Sequence, residues 1–317
     1  MANQQLPQPT GPYTVGVWAY DVIDPNQTDT INPEGRPIPI HFYFPLAHGL
    51  HTLQKKLPEL RAPHKNPALH TETYAMLAET SRMAPGIRNL VIFNHGNTIP
   101  MTEYAIIVQD LASHGLIVAT LQHQLATDLT PPPFWQSRST SRHGTIINNL
   151  MYVFECLKRN NGTLFSGQLN TNNIALIGHS MGANAALLLA QRTASPFLPH
   201  PLTLLPHDEN ATITKECIVA LDADFDFPSC PQYPILFCLS DELHQTRAES
   251  TLTNLLQNVG YQFKHYKGSR RLSFRDHLYN GDTHSEAFFD GTELEYYKFW
   301  GDVRGDIRAF LKEHGIL

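Results

Sequence analysis

Residues 174–186 read I-A-L-I-G-H-S-M-G-A-N-A-A. Four apolar residues lead into Gly178; Ser180 stands two positions on, and Gly182 two beyond that. A G-x-S-x-G between a buried strand and a helix is the pattern of a nucleophile elbow. The turn must be sharp for the serine oxygen to stand out of the sheet, and glycines omit the side chains that would strike nearby backbone. A helix beginning at Met181 would aim its N–H groups, and the positive end of its dipole, at the reacting centre.

A serine hydroxyl is a weak nucleophile at neutral pH. It needs a base, a carboxylate that orients the base, and donors for the developing oxyanion. Behind such an elbow the chain order is serine, acid, histidine, with donors from the residue after the serine and from a loop after an earlier strand. That loop is F-N-H-G-N-T (93–98), so the N–H groups of Met181 and Asn97 are the candidate donors, with His95 and Gly96 shaping the turn. Two histidines follow the last expected strand. His284, in the glycine-bearing N-G-D-T-H-S-E-A-F ahead of apolar residues, is favoured as base; His277, in F-R-D-H-L-Y, is the alternative. For the acid, Asp222 ends the strand C-I-V-A-L and Asp241 ends P-I-L-F-C-L-S, with Asp224 a third option. Both strand ends share the sheet edge that carries Ser180. The later strand is the commoner source of the acid, which favours Asp241.

The elements needed to hold these residues are legible around them. Apolar runs at 13–20 and 38–45 predict an antiparallel pair at a sheet edge, joined by a turn rich in Asp, Asn, Pro and Gly. Residues 46–88 lack a clean period and predict loop, with one short helix near 71–82. Then strands (89–94, 116–121, the run before Ser180, 217–223, 234–240, 261–266) alternate with helices (102–114, 143–160, the run after Ser180, 242–259, 293–314). Thr102 is the expected N-cap of the first helix and Gly115 follows its end. In the second, Ile146, Ile147, Leu150, Val153, Phe154 and Leu157 fall on one face. Apolar strands alternating with amphipathic helices predict an α/β fold: a mostly parallel sheet covered on both faces, with an antiparallel N-terminal edge. One domain, 1–317, accounts for the whole pattern. The segments 46–88 and 193–214 read as insertions, either lids or substrate-facing loops or plain surface loops.

Bulk properties narrow the function classes. A formal charge of −6 and no basic run beyond Arg270-Arg271 argue against nucleic acid as a partner. Despite 17 histidines there is no H-E-x-x-H and no Cys/His array at zinc spacing, so neither metal nor other cofactor is expected. Cys156, Cys217 and Cys238 read as buried thiols, and Cys230 is the one candidate for a disulfide. No window reaches 18 apolar residues, and the first ten residues do not form a signal peptide. A cytoplasmic location is the default expectation, with export the alternative if a leader preceded this numbering; peripheral membrane contact is compatible with either.

Several stretches together resemble the α/β-hydrolase superfamily, and within it the plasma-type platelet-activating-factor acetylhydrolases and related bacterial esterases. They are G-P-Y-T-V-G-V (11–17), F-N-H-G (93–96), L-A-S-H-G-L-I-V-A-T (111–120), I-G-H-S-M-G-A (177–183) and I-V-A-L-D-A (218–223), a similarity that extends to about residue 290. The resemblance implies that Asp222, rather than Asp241, is the acid, and it supports His284. It implies a serine hydrolase acting through an acyl-enzyme on short-acyl esters or phospholipids like platelet-activating factor. The stretch K-G-S-R-R-L-S-F (267–274) is locally similar but lacks the histidine, and 193–214 is longer than the family pattern. The alternatives are a thioesterase, peptidase or other acyl transferase on the same triad, or a binding protein that keeps only the fold.

Overall fold

The structure, a computed structural model, describes residues 6–27, 33–47, 74–97, 99–123, 139–194, 215–223, 233–246, 261–274, 276 and 293–317. Among these residues nine strands form one sheet: β1 (Val15–Asp24), β2 (Arg36–Pro45), β3 (Met76–Leu77), β4 (Arg88–Asn94), β5 (Ile117–Leu121), β6 (Leu169–His179), β7 (Lys215–Leu221), β8 (Ile235–Ser240) and β9 (Tyr261–Tyr266). Their spatial order is β3-β1-β2-β5-β4-β6-β7-β8-β9. β2 runs antiparallel to both β1 and β5, and β5, β4, β6, β7, β8 and β9 pair in parallel.

The central strands are buried on both faces, which explains their unbroken apolar runs. Their side chains alternate between two cores. Leu90, Ile92, Leu176, Ile218 and Ala220 face α2 (Ser139–Arg159) and α4 (Met181–Ala194). Val91, Phe93, Ile177, Val219 and Leu221 face α1 (Ala105–Ser113) and the C-terminal helix α6 (Glu293–Glu313). Two further helices among the described residues are short, α3 (Asn161–Phe165) and α5 (Asp241–Thr246). On α2 the expected stripe is buried at Ile146, Ile147, Leu150, Val153 and Leu157, while Phe154 packs against it half-buried.

Three sequence expectations are corrected. The described part of 71–82 is not an α-helix: Met76–Leu77 pair with β1, Ala78 N–H donates to Val17 O, and a single 3-10 turn follows at Thr80–Arg82. Sheet pairing there supplies the backbone bonds that helix propensity alone could not secure. That strand also displaces the β1–β2 pair from the outermost edge. Third, Thr102 does not cap the first helix. A 3-10 turn over Met101–Tyr104 precedes α1, and the carboxylate of Asp276 takes the N–H groups of Ala105 and Ile106, at 2.5 and 2.9 Å. Gly115 does follow the helix end, at φ +103°. The segment 195–214, most of 46–73, Cys230 and most of the helix expected at 242–259 lie outside the described residues.

Candidate active site

Ser180 sits between the last residue of β6 and the first of α4, with φ +52°. A non-glycine residue held in this region costs about 1–3 kcal/mol and persists only where surrounding structure enforces it. Here the N–H of Ser180 donates to Leu221 O at 2.8 Å, and its carbonyl accepts the first helical bond from Asn184 N–H at 3.0 Å. The flanking glycines make the turn feasible. A Cβ on Gly178 would lie 2.5 Å from Ala183 N and 2.5 Å from Gly182 C. A Cβ on Gly182 would lie 2.5 Å from Asn94 O and 2.6 Å from His95 O. Strand end, turn and helix start therefore touch backbone to backbone, and the same glycine lets α4 abut the loop after β4.

That loop is pinned from two sides. Gly96 N–H donates to the Tyr104 hydroxyl at 3.0 Å, and that hydroxyl pairs with His179 Nδ1 at 2.9 Å. Gly96 O accepts from Ile99 N–H at 3.3 Å and pairs with His95 Nδ1 at 2.7 Å. Gly96 N–H is thus committed inside the loop, whose next residue is Asn97. Met181 is the first residue of α4, so its N–H has no acceptor within the helix.

The two candidate acids differ in setting. Asp222 lies one strand from Ser180, just beyond β7, fully buried and at φ +51°. Its N–H donates to Cys238 O at 2.8 Å, and its Oδ1 accepts the N–H and hydroxyl of Ser240 at 2.8 and 2.7 Å. Asp241 lies a strand further out and is partly exposed. Its Oδ1 pairs with His265 Nε2 at 2.7 Å and its Oδ2 accepts Gly268 N–H at 3.1 Å, and the His244 ring stacks on His265 at 4.0 Å. The Gly268 N–H, with help from His265, holds the Asp241 carboxyl below its ordinary range. Asp224, His277 and His284 lie outside the described residues. The chain after β9 nonetheless returns to this corner: the Phe274 ring packs 6.0 Å from that of His179, and buried Asp276 reaches the start of α1.

The sequence matches no protein-family model, and none of the curated proteins matches it. Among solved structures, a ferulic acid esterase from Streptomyces cinnamoneus superposes with a TM-score of 0.71 at 17% identity, over 99% of this chain and 93% of that one. Combined with the strand order, this decides the architecture. The chain has the α/β-hydrolase fold. At this identity the likeness speaks for the fold alone.

In an α/β-hydrolase fold the C-terminal ends of the parallel strands collect the polar groups, and here they do so with uneven burial. His95 and His123 are buried beneath the loop after β4. Burial pushes the His95 imidazole down to about 4. Burial, and then the neighbouring His95 and Arg36, hold His123 well below its ordinary value. Both rings are neutral at physiological pH. Among the described residues no three His, Cys, Asp or Glu side chains converge as a metal site would require, and no helix is long and apolar enough to cross a membrane. Tyr104, His123, Ser240 and Asp276 did not stand out in the sequence. Each is bonded to a partner that no local sequence pattern signals.

Proposed function

We propose that the protein is a serine carboxylic-ester hydrolase. The observation that carries this reading is Ser180 held at φ +52° between β6 and α4, with a buried carboxylate, Asp222, at the end of the adjoining strand. Such a turn is the geometry of a nucleophile elbow. An energetically costly serine conformation, enforced by two side-chain-free glycines, has no evident packing purpose.

In this mechanism an imidazole takes the Ser180 proton as Oγ attacks the ester carbonyl. His284 is the favoured base and His277 the alternative. Asp222 fixes the tautomer of that ring and balances the imidazolium. The N–H groups of Met181 and Asn97 stabilise the tetrahedral oxyanion, and one such donor is worth roughly 3 kcal/mol. The imidazolium returns its proton to the departing alcohol. Water, deprotonated by the same ring, then releases the acid from the acyl-enzyme. Asp222 is preferred over Asp241 because it borders β6 and is shielded from solvent, whereas the Asp241 carboxylate is already engaged by His265.

The resemblance to platelet-activating-factor acetylhydrolases in F-N-H-G, I-G-H-S-M-G-A and A-L-D-A supports a short acyl group. The expected substrates are acetyl or other short-acyl esters, phospholipids among them. Purified protein should hydrolyse p-nitrophenyl acetate, and Ser180→Ala should abolish that turnover. Activity retained by the variant would discard the assignment. A series of acetyl, butyryl, octanoyl and feruloyl esters, with a thioester and an anilide, ranks the acyl preference and separates esterase from thioesterase or peptidase.

A further inference from the structure

We propose that His95 and His123 are positioning residues that aim the Asn97 N–H at the oxyanion by fixing the peptide between Gly96 and Asn97. The proposal rests on the reading of Ser180 as nucleophile and Asn97 as donor.

The argument is one of hydrogen-bond direction. His123 backbone N–H donates to His95 Nε2 at 3.0 Å. A neutral imidazole that accepts at Nε2 carries its proton on Nδ1. His95 Nδ1–H therefore donates to Gly96 O at 2.7 Å. In a trans peptide the carbonyl and the following N–H point in opposite directions. A donor seated on Gly96 O thus turns the Asn97 N–H away from the buried histidine, and it also polarises that peptide toward a stronger donor. The loop is already against the nucleophile turn: a Cβ on Gly96 would lie 3.0 Å from His179 Nδ1, in the residue preceding Ser180.

His123 is in turn oriented by its own partners. Its Nε2 pairs with Asn94 Oδ1 at 3.0 Å, and Asn94 Nδ2 donates to Ile177 O at 3.4 Å. An amide oxygen only accepts, so His123 carries its proton on Nε2 and its Nδ1 accepts from Asn149 Nδ2 at 3.4 Å. The Asn149 oxygen accepts from Gln27 Nε2 at 3.0 Å, which also reaches Asp24 Oδ2 at 2.6 Å, and Arg36 Nη2 holds the His123 carbonyl at 2.8 Å. The chain of bonds has one consistent sense from the end of β1 to the loop beside Ser180. It assigns the two histidines opposite tautomers.

The test pairs a donor-retaining with a donor-deleting substitution. Asparagine can present an N–H where His95 Nδ1 stands; leucine cannot. On p-nitrophenyl acetate, His95→Leu should lower kcat by tenfold to about a hundredfold with KM within a factor of about two, since the lost alignment matters only once the oxyanion forms. Affinity for a trifluoromethyl ketone, which forms the same oxyanion, should fall by a matching factor, and His95→Asn should recover most of both losses. Independently of the variants folding, 15N-detected imidazole spectra of the wild-type protein should show His95 protonated at Nδ1 and His123 at Nε2. Reversed tautomers, an unchanged kcat in His95→Leu, or an asparagine variant no better than leucine would overturn the positioning role while leaving the serine hydrolase intact. A wild-type protein that neither turns over the ester nor binds the ketone would overturn the underlying reading and the positioning role with it.

Discussion

Asp222 and Asp241 occupy the same formal position, each directly beyond an apolar parallel strand, yet their surroundings differ. Asp222 is sealed from water, bonded by both the N–H and hydroxyl of Ser240, and held at φ +51° beside the strand that leads to Ser180. Asp241, itself partly exposed, opens α5 directly after β8, bonded to His265 and Gly268, with His244 stacked over the pair. A strand end aims a carboxylate at the functional edge of the sheet, but the neighbouring strands decide what it does there. Near the centre it is desolvated, so its charge acts strongly on a nearby imidazolium; toward the outer strand, solvent screens it.

The comparison is broken most forcefully by paired amide substitutions. Asp222→Asn should cut kcat by on the order of 10³- to 10⁴-fold, as loss of the orienting carboxylate does in serine hydrolases. Its amide oxygen can still accept from Ser240, so the melting temperature should change little. If Asp241→Asn showed the larger loss, the two roles would be exchanged. Next in size is Gly182→Ala. The added methyl meets the Asn94 and His95 carbonyls, and neither can move without shifting the loop after β4. A destabilisation of about 3 kcal/mol is expected from chemical denaturation, whereas the same change at the partly exposed Gly305 on α6, where a Cβ would meet nothing within 4 Å, should stabilise by up to about 1 kcal/mol because alanine is the better helix former.

Acid sensitivity should follow the buried side of the comparison. An unfolded imidazole takes up a proton near pH 6.5, whereas burial pushes His41 and His95 down to about 4. Between those values the unfolded chain holds more protons, so stability is full above about 6.5 and falls as the pH drops toward 4. Each of these two histidines contributes about 3 kcal/mol over that window, and His123 adds in the same direction. Glu216, whose carboxyl burial pushes up to about 7, works in the opposite sense and offsets part of this. Urea midpoints measured from pH 7 to 4 should therefore decline, and a His41→Leu variant should decline less steeply. The smallest expected effect is that of Asp241→Asn itself. Its exposed pair with His265 should be worth at most about 1 kcal/mol, with kcat within a factor of about three.

The sheet was legible in the sequence because strands such as Val91–Phe93 and Ile218–Leu221 are buried on both faces, and their composition shows it. The turn at Ser180 was legible for a local reason: both glycines and the serine lie within five residues. The cap of α1 was not, because Asp276 joins Ala105 across 171 positions and no local pattern signals that contact. Nor could the choice between Asp222 and Asp241 be made from their own strands, since both follow equally apolar runs. Ser240, which bonds Asp222 and sets its surroundings apart, belongs to the neighbouring strand. The histidines beneath the loop after β4 were likewise hidden: F-N-H-G drew attention to His95, but nothing near L-Q-H-Q announced that His123 would orient it.

The most direct test is covalent. A fluorophosphonate probe applied to the native protein should form a single adduct, mapped by peptide mass spectrometry to the fragment containing Ser180 and absent from Ser180→Ala. An unlabelled protein, or an adduct on another residue with Ser180 unmodified, would contradict the account.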